Sequence, residues 1–316
     1  MPLFGRRSSR GDHPPLLDVG GARSAPPVEG SRSEWRPDLA SPWPSFPPQR
    51  YLGQLADDYQ ARLAGERAGL SLEDCTFYHT AELRDGSVVH GPWDLRGREV
   101  EYIGGIDLRG KSVLEIGPAS GSLTFWMEDQ GADVVGFDAG YDVSVDIQPP
   151  LGYDDRQLKR EHIQLVGSYQ NAWWYLHRHY GSKARMTYGD IYDLPGDLGQ
   201  FDVSVVTAVL LHCRGPISVL EQAARRTRST LVVTEQVPGD QHAVDANVMA
   251  IFPLGEAGRW VIWWSIYAGA VVAMLRTLGF ADVTITQHRQ RHQVGHHRDA
   301  AYDEVPMYTV VAHRTG

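Results

Sequence analysis

The chain has 316 residues, an ordinary globular composition with 42% hydrophobic residues, and a formal net charge of −9, a length that allows about two domains or one large α/β domain. Residues 1–50 hold seven arginines against five acids, which leaves 23 basic and 34 acidic residues in the remainder; an acidic body disfavours non-specific polyanion binding and leaves nucleic acid only a local basic groove. Two cysteines, Cys75 and Cys213, are too few for a disulfide framework and suit a reducing cytoplasm.

Residues 1–50 are rich in Pro, Ser, Arg and Gly and include Ser41-Pro-Trp-Pro-Ser-Phe-Pro-Pro48, a composition expected of a disordered or loosely docked tail. Arg6, Arg7 and Arg10 are followed by no apolar stretch of about 7–15 residues, so a secretory signal is not expected. Residues 51–110 read as a cover: Tyr51 to Arg67 has helical spacing, and two extended pieces, Phe77 to Thr80 and Val88 to Asp94, flank a turn at Asp85-Gly86.

From Lys111 onward strand and helix signals alternate. Expected strands fall at 111–116, 133–138, 184–188, 201–207, 230–236, 281–287 and 306–313, with helical patterns between most of them. Such alternation predicts right-handed βαβ units and a mostly parallel, seven-stranded sheet, its last two strands forming an antiparallel hairpin because a polar loop joins them. Residues 148–183 form an insertion whose run Tyr169-Gln-Asn-Ala-Trp-Trp-Tyr-Leu-His-Arg-His-Tyr180 is densely aromatic. Trp260 to Leu275 is the longest uncharged run, yet it falls short of the ~18–20 residues a bilayer needs and reads as a core helix. No internal repeat is present.

Chemistry concentrates in Lys111-Ser-Val-Leu-Glu-Ile-Gly-Pro-Ala-Ser-Gly-Ser-Leu-Thr-Phe125. A buried strand runs into a turn bracketed by Gly117 and Gly121 and then into a helix, and glycines at such a junction let a ligand approach the backbone. The spacing Glu-x-Gly-x-x-x-Gly is not the Gly-x-Gly-x-x-Gly of dinucleotide folds; Glu115 beside the turn suits a cation better than a pyrophosphate. The next expected strand ends in Asp138, where a carboxylate can accept from both hydroxyls of a ribose.

These features resemble the class I adenosylmethionine-dependent methyltransferases, with a Rossmann-like α/β fold. The resemblance implies that Glu115, Gly117, Ser120 and Gly121 cradle S-adenosyl-L-methionine, with S-adenosyl-L-homocysteine as product. In Tyr188-Gly-Asp-Ile-Tyr-Asp-Leu-Pro195 it implies that Asp190 accepts from the adenine amino group while Ile191 covers the ring. In Phe201 to His212 it implies that Ala208 and Val209 lie beside the methionine half.

Within the superfamily the chain is similar to bacterial methyltransferases related to the tRNA wobble-uridine carboxymethyltransferase, through Trp93-Asp-Leu-Arg96, the glycine loop, Leu210 to Pro216, Leu231 to Glu235 and Trp263-Trp264. It lacks that enzyme's tyrosine, replaced by Leu211, and its lysine near His90 or Gly91, so unmodified adenosylmethionine is expected.

Methyl transfer is an in-line displacement, and a general base is needed only where an acceptor must lose a proton. Candidate catalytic groups are His212 and Glu235; each has a structural alternative, fixing a loop or capping the next segment. Candidate acceptor walls are Tyr78, His79, Trp93, Tyr169, Trp173 and Trp263, an aromatic set that suits a planar or apolar molecule and equally a flipped base. Tyr169, Trp173 and His177 would share a helix face, with Trp174 in the core. His288, His292, His296 and His297 read as solvated loop residues, and no metal is expected. The resulting expectation is an enzyme methylating an O or N atom of a small molecule, as in secondary metabolism. RNA methylation and a non-catalytic cofactor-binding scaffold are the alternatives, no membrane partner is expected, and oligomeric state is left open.

Overall fold

Val113 to Ile116 are all buried, as required of a central parallel strand covered on both faces. The structure, a computed structural model, describes residues 51–140, 146–147, 155–239, 244–251, 261–293 and 302–314, all within the compact unit Phe46–Gly316. The expected tail, 1–50, lies outside them.

The cover consists of helix α1 (Asp57–Glu66), a short hairpin of β1 (Ala81–Glu82) and β2 (Val88–Val89), strand β3 (Trp93–Asp94) and the single turn α2 (Glu99–Tyr102). Then follow β4 (Ser112–Ile116), α3 (Ser122–Asp129), β5 (Asp133–Ala139), the long α4 (Asp155–Tyr180) and β6 (Arg185–Gly189). The second half runs β7 (Phe201–Thr207), α5 (Pro216–Arg226), β8 (Thr227–Gln236), the ribbon β9 (Met249–Ile251) and β10 (Trp264–Ile266), α6 (Ala268–Thr277), and the hairpin β11 (Phe280–His292) and β12 (Asp303–Arg314).

The main sheet has the order β3-β11-β12-β8-β7-β4-β5-β6. β6, β5, β4, β7 and β8 run parallel, and β12, β11 and β3 add in antiparallel fashion. The chain moves outward from β4 through β5 to β6, then returns to the other side of β4 with β7. That reversal opens a crevice beyond the carboxyl ends of β4 and β7, the place where open α/β sheets hold ligands. Alternation along each strand feeds two cores: Leu114, Ile116 and Val233 pack on α5 and α6 through Leu220 and Val271, whereas Val113, Val134 and Val205 pack on α1, α3 and α4 through Leu63, Leu123 and Trp173.

The sheet has eight strands where seven were expected, because β3 of the cover pairs with the edge of β11, and three further expectations need correction. The run from Trp260 is not one helix, because Trp264–Ile266 pairs with Met249–Ile251 before α6 begins at Ala268. β11 and β12 extend beyond the expected 281–287 and 306–313, carried by polar residues whose backbone pairing leaves no hydrophobic signal. His288 and His292 consequently sit on a strand: His288 Nε2 lies 3.0 Å from the Thr309 hydroxyl, and His292 packs against Trp93. His296 and His297 lie outside the described residues. Among the described residues no helix is long and apolar enough to cross a membrane.

Candidate functional site

The strand-to-helix loop after β4 has two halves with different work. Gly117 has φ +74°, and a Cβ there would stand 2.6 Å from Val209 Cγ2. Gly121 has φ +86°, and its Cβ would stand 2.5 Å from Trp173 Cδ1. Gly117 borders the crevice, whereas Gly121 is required by the packing of Trp173 and Phe125 beneath the loop. Ser120 is fully buried, and its Oγ accepts from the His79 amide at 3.0 Å. Ala119 (φ +49°) and Ala208 (φ +53°) are the non-glycine residues with positive φ among those described. Both line the crevice, on the loops that leave β4 and β7. A left-handed alanine costs roughly 1 kcal/mol or more and persists only where its surroundings fix it.

Carboxylates surround these loops. Glu115 accepts from the Thr124 hydroxyl, and burial, together with the nearby Asp138, pushes its pKa up to about 8. Asp138, the penultimate residue of β5, accepts from the Ala139 amide at 2.7 Å and bonds the Gln170 side chain from α4; burial raises its pKa to about 7. Asp190 accepts from the Tyr192 amide at 2.9 Å, and burial raises it too. All three line one cavity of about 650 Å³, within the ~300–1,000 Å³ span of small-ligand sites. Ile191, Ala208 and Val209 line it as well.

Helix α4 forms the opposite wall. Leu158, His162, Leu165, Val166 and Tyr169 face the cavity, a stripe at i, i+4, i+7, i+8 and i+11 that one helix face presents. Tyr169 meets Tyr78 edge to face at 5.4 Å between ring centres. Tyr78 and His79, from the cover, close the cavity beside them. His79 is 9% exposed, its Nδ1 has no hydrogen-bond partner, and burial pushes its pKa down to about 4.

The loop after β7 carries His212 to the cavity. Its Nδ1 lies 2.7 Å from the Val261 carbonyl. A carbonyl only accepts, so Nδ1 holds the proton and the neutral ring keeps a lone pair on Nε2. Burial lowers its pKa and keeps it neutral. Glu235 fixes this loop. It accepts from the amide of Leu210 at 2.8 Å and from those of Val209 and Leu211, while burial raises its pKa to about 8.

The structure therefore brings Glu115, Gly117, Asp138, Asp190, Ile191, Ala208, Val209, His212, Tyr78, His79 and Tyr169 to one cavity, and it does not bring the rest. Glu235 does not line the cavity, and its carboxylate accepts from backbone amides instead. Trp173 is fully buried with its indole N–H bonded to Thr124 Oγ1 at 3.1 Å; like Trp174, it belongs to the core, because α4 turns its carboxyl-terminal half onto the sheet. Trp93 sits on the edge strand β3, bonded to Tyr78 and packed against His292, behind the wall. Trp263 braces the rim by donating from Nε1 to the Asp146 carbonyl at 2.9 Å. Sequence reasoning missed His162, Leu158, Leu165 and Val166; their helical stripe was the available signal, obscured by the louder aromatic run that follows.

Among the described residues no group of three or more His, Cys, Asp or Glu could hold a metal ion. The strand order, the reversal at β4 and β7, and a cavity over those strand ends define the Rossmann-like fold of class I methyltransferases. The sequence matches a family model described as "Methyltransferase domain" over residues 93–284, more than half of the chain, and the chain belongs to that family. The match is to the general domain and does not single out the carboxymethyltransferase subgroup.

Solved structures with a similar fold include magnesium protoporphyrin IX methyltransferase from Synechocystis PCC 6803 with bound SAH, at 17% identity and TM-score 0.40, covering 66% of this chain and 76% of that one. Another is the N-terminal domain of EvdMO1 with SAH bound, at 17% identity and TM-score 0.44, covering 81% and 97%. A third, 1,6-didemethyltoxoflavin-N1-methyltransferase from Burkholderia thailandensis, has 17% identity and TM-score 0.38, covering 66% and 72%. The family assignment rests on the family match and the strand order, not on these likenesses. No curated protein matches the sequence.

Proposed function

We propose that this chain is a cytoplasmic methyltransferase that moves a methyl group from S-adenosyl-L-methionine to an O or N atom of a small molecule, releasing S-adenosyl-L-homocysteine. The observation that carries the reading is the 650 Å³ cavity, whose floor is the strand-end carboxylates and whose far wall is the apolar stripe of α4. The residues present fit this cofactor. Gly117 brings bare backbone to the cavity edge, where a Cβ would press on Val209, and Asp138 stands where a strand-end carboxylate accepts from ribose hydroxyls. Asp190 and Ile191 offer an acceptor and an apolar face for adenine, and the backbone of Ala208 and Val209 borders the methionine half. Glu115 adds a carboxylate to a site that receives a cation.

When bound, the cofactor supplies an already activated methyl group. The chain's own task is to exclude water and orient the acceptor between Tyr78, Tyr169 and the α4 stripe, with His212 available for a proton. Incubating cell extract with the protein and methyl-labelled cofactor tests this directly. Label in a small-molecule fraction is expected. Label confined to RNA would replace the acceptor class, and no adenosylhomocysteine release would leave a non-catalytic binder.

A further inference from the structure

One buried polar side chain in the cavity wall lacks a partner. His79 is 9% exposed, and its Nδ1 is sealed off with no hydrogen bond. The backbone around it is held closely. The His79 amide donates to Ser120 Oγ at 3.0 Å, the Thr80 amide donates to the Trp93 carbonyl at 2.7 Å, and a Cβ at Gly91 would stand 2.7 Å from the His79 amide nitrogen. The imidazole lines the cavity and meets the Tyr78 ring edge to face at 5.0 Å.

The proton on this ring can be placed. Burial keeps the imidazole neutral, so one nitrogen carries an N–H and the other is a bare acceptor. Folded proteins strand N–H groups more rarely than acceptors, which puts the lone pair on the sealed Nδ1 and the proton on Nε2. Nε2 is not sealed off and has no bond to a described residue, so it offers its N–H to a ligand. The neighbouring hydroxyls are engaged, Tyr78 by Trp93 and Tyr102 by Thr207. No lysine or arginine lines the cavity among the described residues.

The strand order says which end of the ligand this N–H meets. In the function proposed above, adenine lies at Asp190 beyond β6, ribose at Asp138 on β5, and the methionine half at the loops that leave β4 and β7, which is the order of those strands in the sheet. Ser120 ties His79 to the β4 loop, and therefore to the methionine end. We infer that His79 donates from Nε2 to the carboxylate of the methionine half, and that the site thereby selects a methyl donor with a free α-carboxylate. The inference rests on the methyltransferase reading above. The ligand's own α-ammonium balances that carboxylate, so a neutral N–H can hold it without a basic side chain. His79 thus belongs with the residues that bind the methyl donor, although it comes from the cover.

The test compares adenosylmethionine with its decarboxylated form, which differs only in that carboxylate, by calorimetry on the full chain. The wild type is expected to bind adenosylmethionine about tenfold more tightly or better, the worth of one hydrogen bond to a charged group. His79→Ala should lose most of that preference yet bind the decarboxylated form as the wild type does, which also verifies that the variant is folded. His79→Gln, which keeps an N–H donor near the place of Nε2, should retain part of the preference. A wild type that binds the two forms equally overturns the inference whatever the variants do. So does a His79→Ala protein that keeps the full preference, or one that weakens both ligands alike, because the residue then serves only the fold. Failure of the wild type to bind either form would overturn the methyltransferase reading, and this inference with it.

Discussion

The two walls of the cavity are built differently. The floor comes from β4, β5, β6 and β7, where each functional group sits at the end of a strand whose register is fixed by its neighbours. The far wall comes from α4, the cover and the segment at Val261, elements outside the alternating βα core. In the proposed function the sheet holds the methyl donor, and acceptor choice falls to whatever packs across from it. Donor residues should therefore govern cofactor affinity, and wall residues should govern acceptor use with the cofactor still bound.

The largest effect that would break this division is expected at Asp138. Its replacement by alanine removes the proposed acceptor of two ribose hydrogen bonds, about 2–4 kcal/mol or roughly 30- to 1,000-fold in cofactor affinity. Calorimetry reads it, and unchanged affinity would remove Asp138 from the floor.

Glu235→Ala sharpens the division from the other side. It strips three amides of a buried acceptor, at a cost of about 2–4 kcal/mol in denaturant unfolding. Turnover should fall through the released His212 loop, with cofactor affinity changed less than in Asp138→Ala. A loss of turnover with stability intact would instead return Glu235 to the catalytic groups.

This contrast also explains what the sequence made legible. Glu115, Gly117 and Asp138 lie in contiguous runs in which strand, turn and carboxylate follow one another, so local pattern was enough, whereas Asp190 followed only from the resemblance to the methyltransferases. His162 was not legible because nothing local marks it: it reaches the cavity only as one position of the helical stripe it shares with Leu158, Leu165 and Val166. Trp173 was misassigned for a related reason: helical spacing places it on one face with Tyr169, but α4 is long enough for that face to leave the cavity and enter the core. Gly121 was placed correctly in the turn, yet the neighbour that requires it is an indole 52 residues downstream.

The two loop glycines give a smaller, paired test. Alanine at either meets a neighbour at about 2.5 Å with positive φ, a strain worth roughly 1–3 kcal/mol. In Gly121→Ala the loss should be in melting temperature, through Trp173. In Gly117→Ala cofactor affinity should fall as well, because that position borders the cavity. Equal effects on affinity would show that both halves of the loop hold ligand.

The smallest effect is in pH. Glu115 and Asp138 have folded pKa values of about 8 and 7, above their ordinary 4.5 and 3.8, so the folded state holds extra protons between those limits. Stability of the free protein is present at low pH and falls as pH rises through this window, with a slope of up to about 1.4 kcal/mol per pH unit for each group. Glu115→Gln should flatten the slope in unfolding measured from pH 5 to 8. An unaltered slope would mean that this carboxylate is ionised in the free protein.

The most direct test of the central claim is calorimetric titration of adenosylmethionine into the full chain at pH 7, repeated in two buffers of different ionisation enthalpy. A cationic cofactor seated beside Glu115 and Asp138 lowers their pKa values, so saturable binding of one molecule per chain is expected, with net release of protons to the buffer. Absence of saturable binding, or binding with no proton release in either buffer, would contradict it.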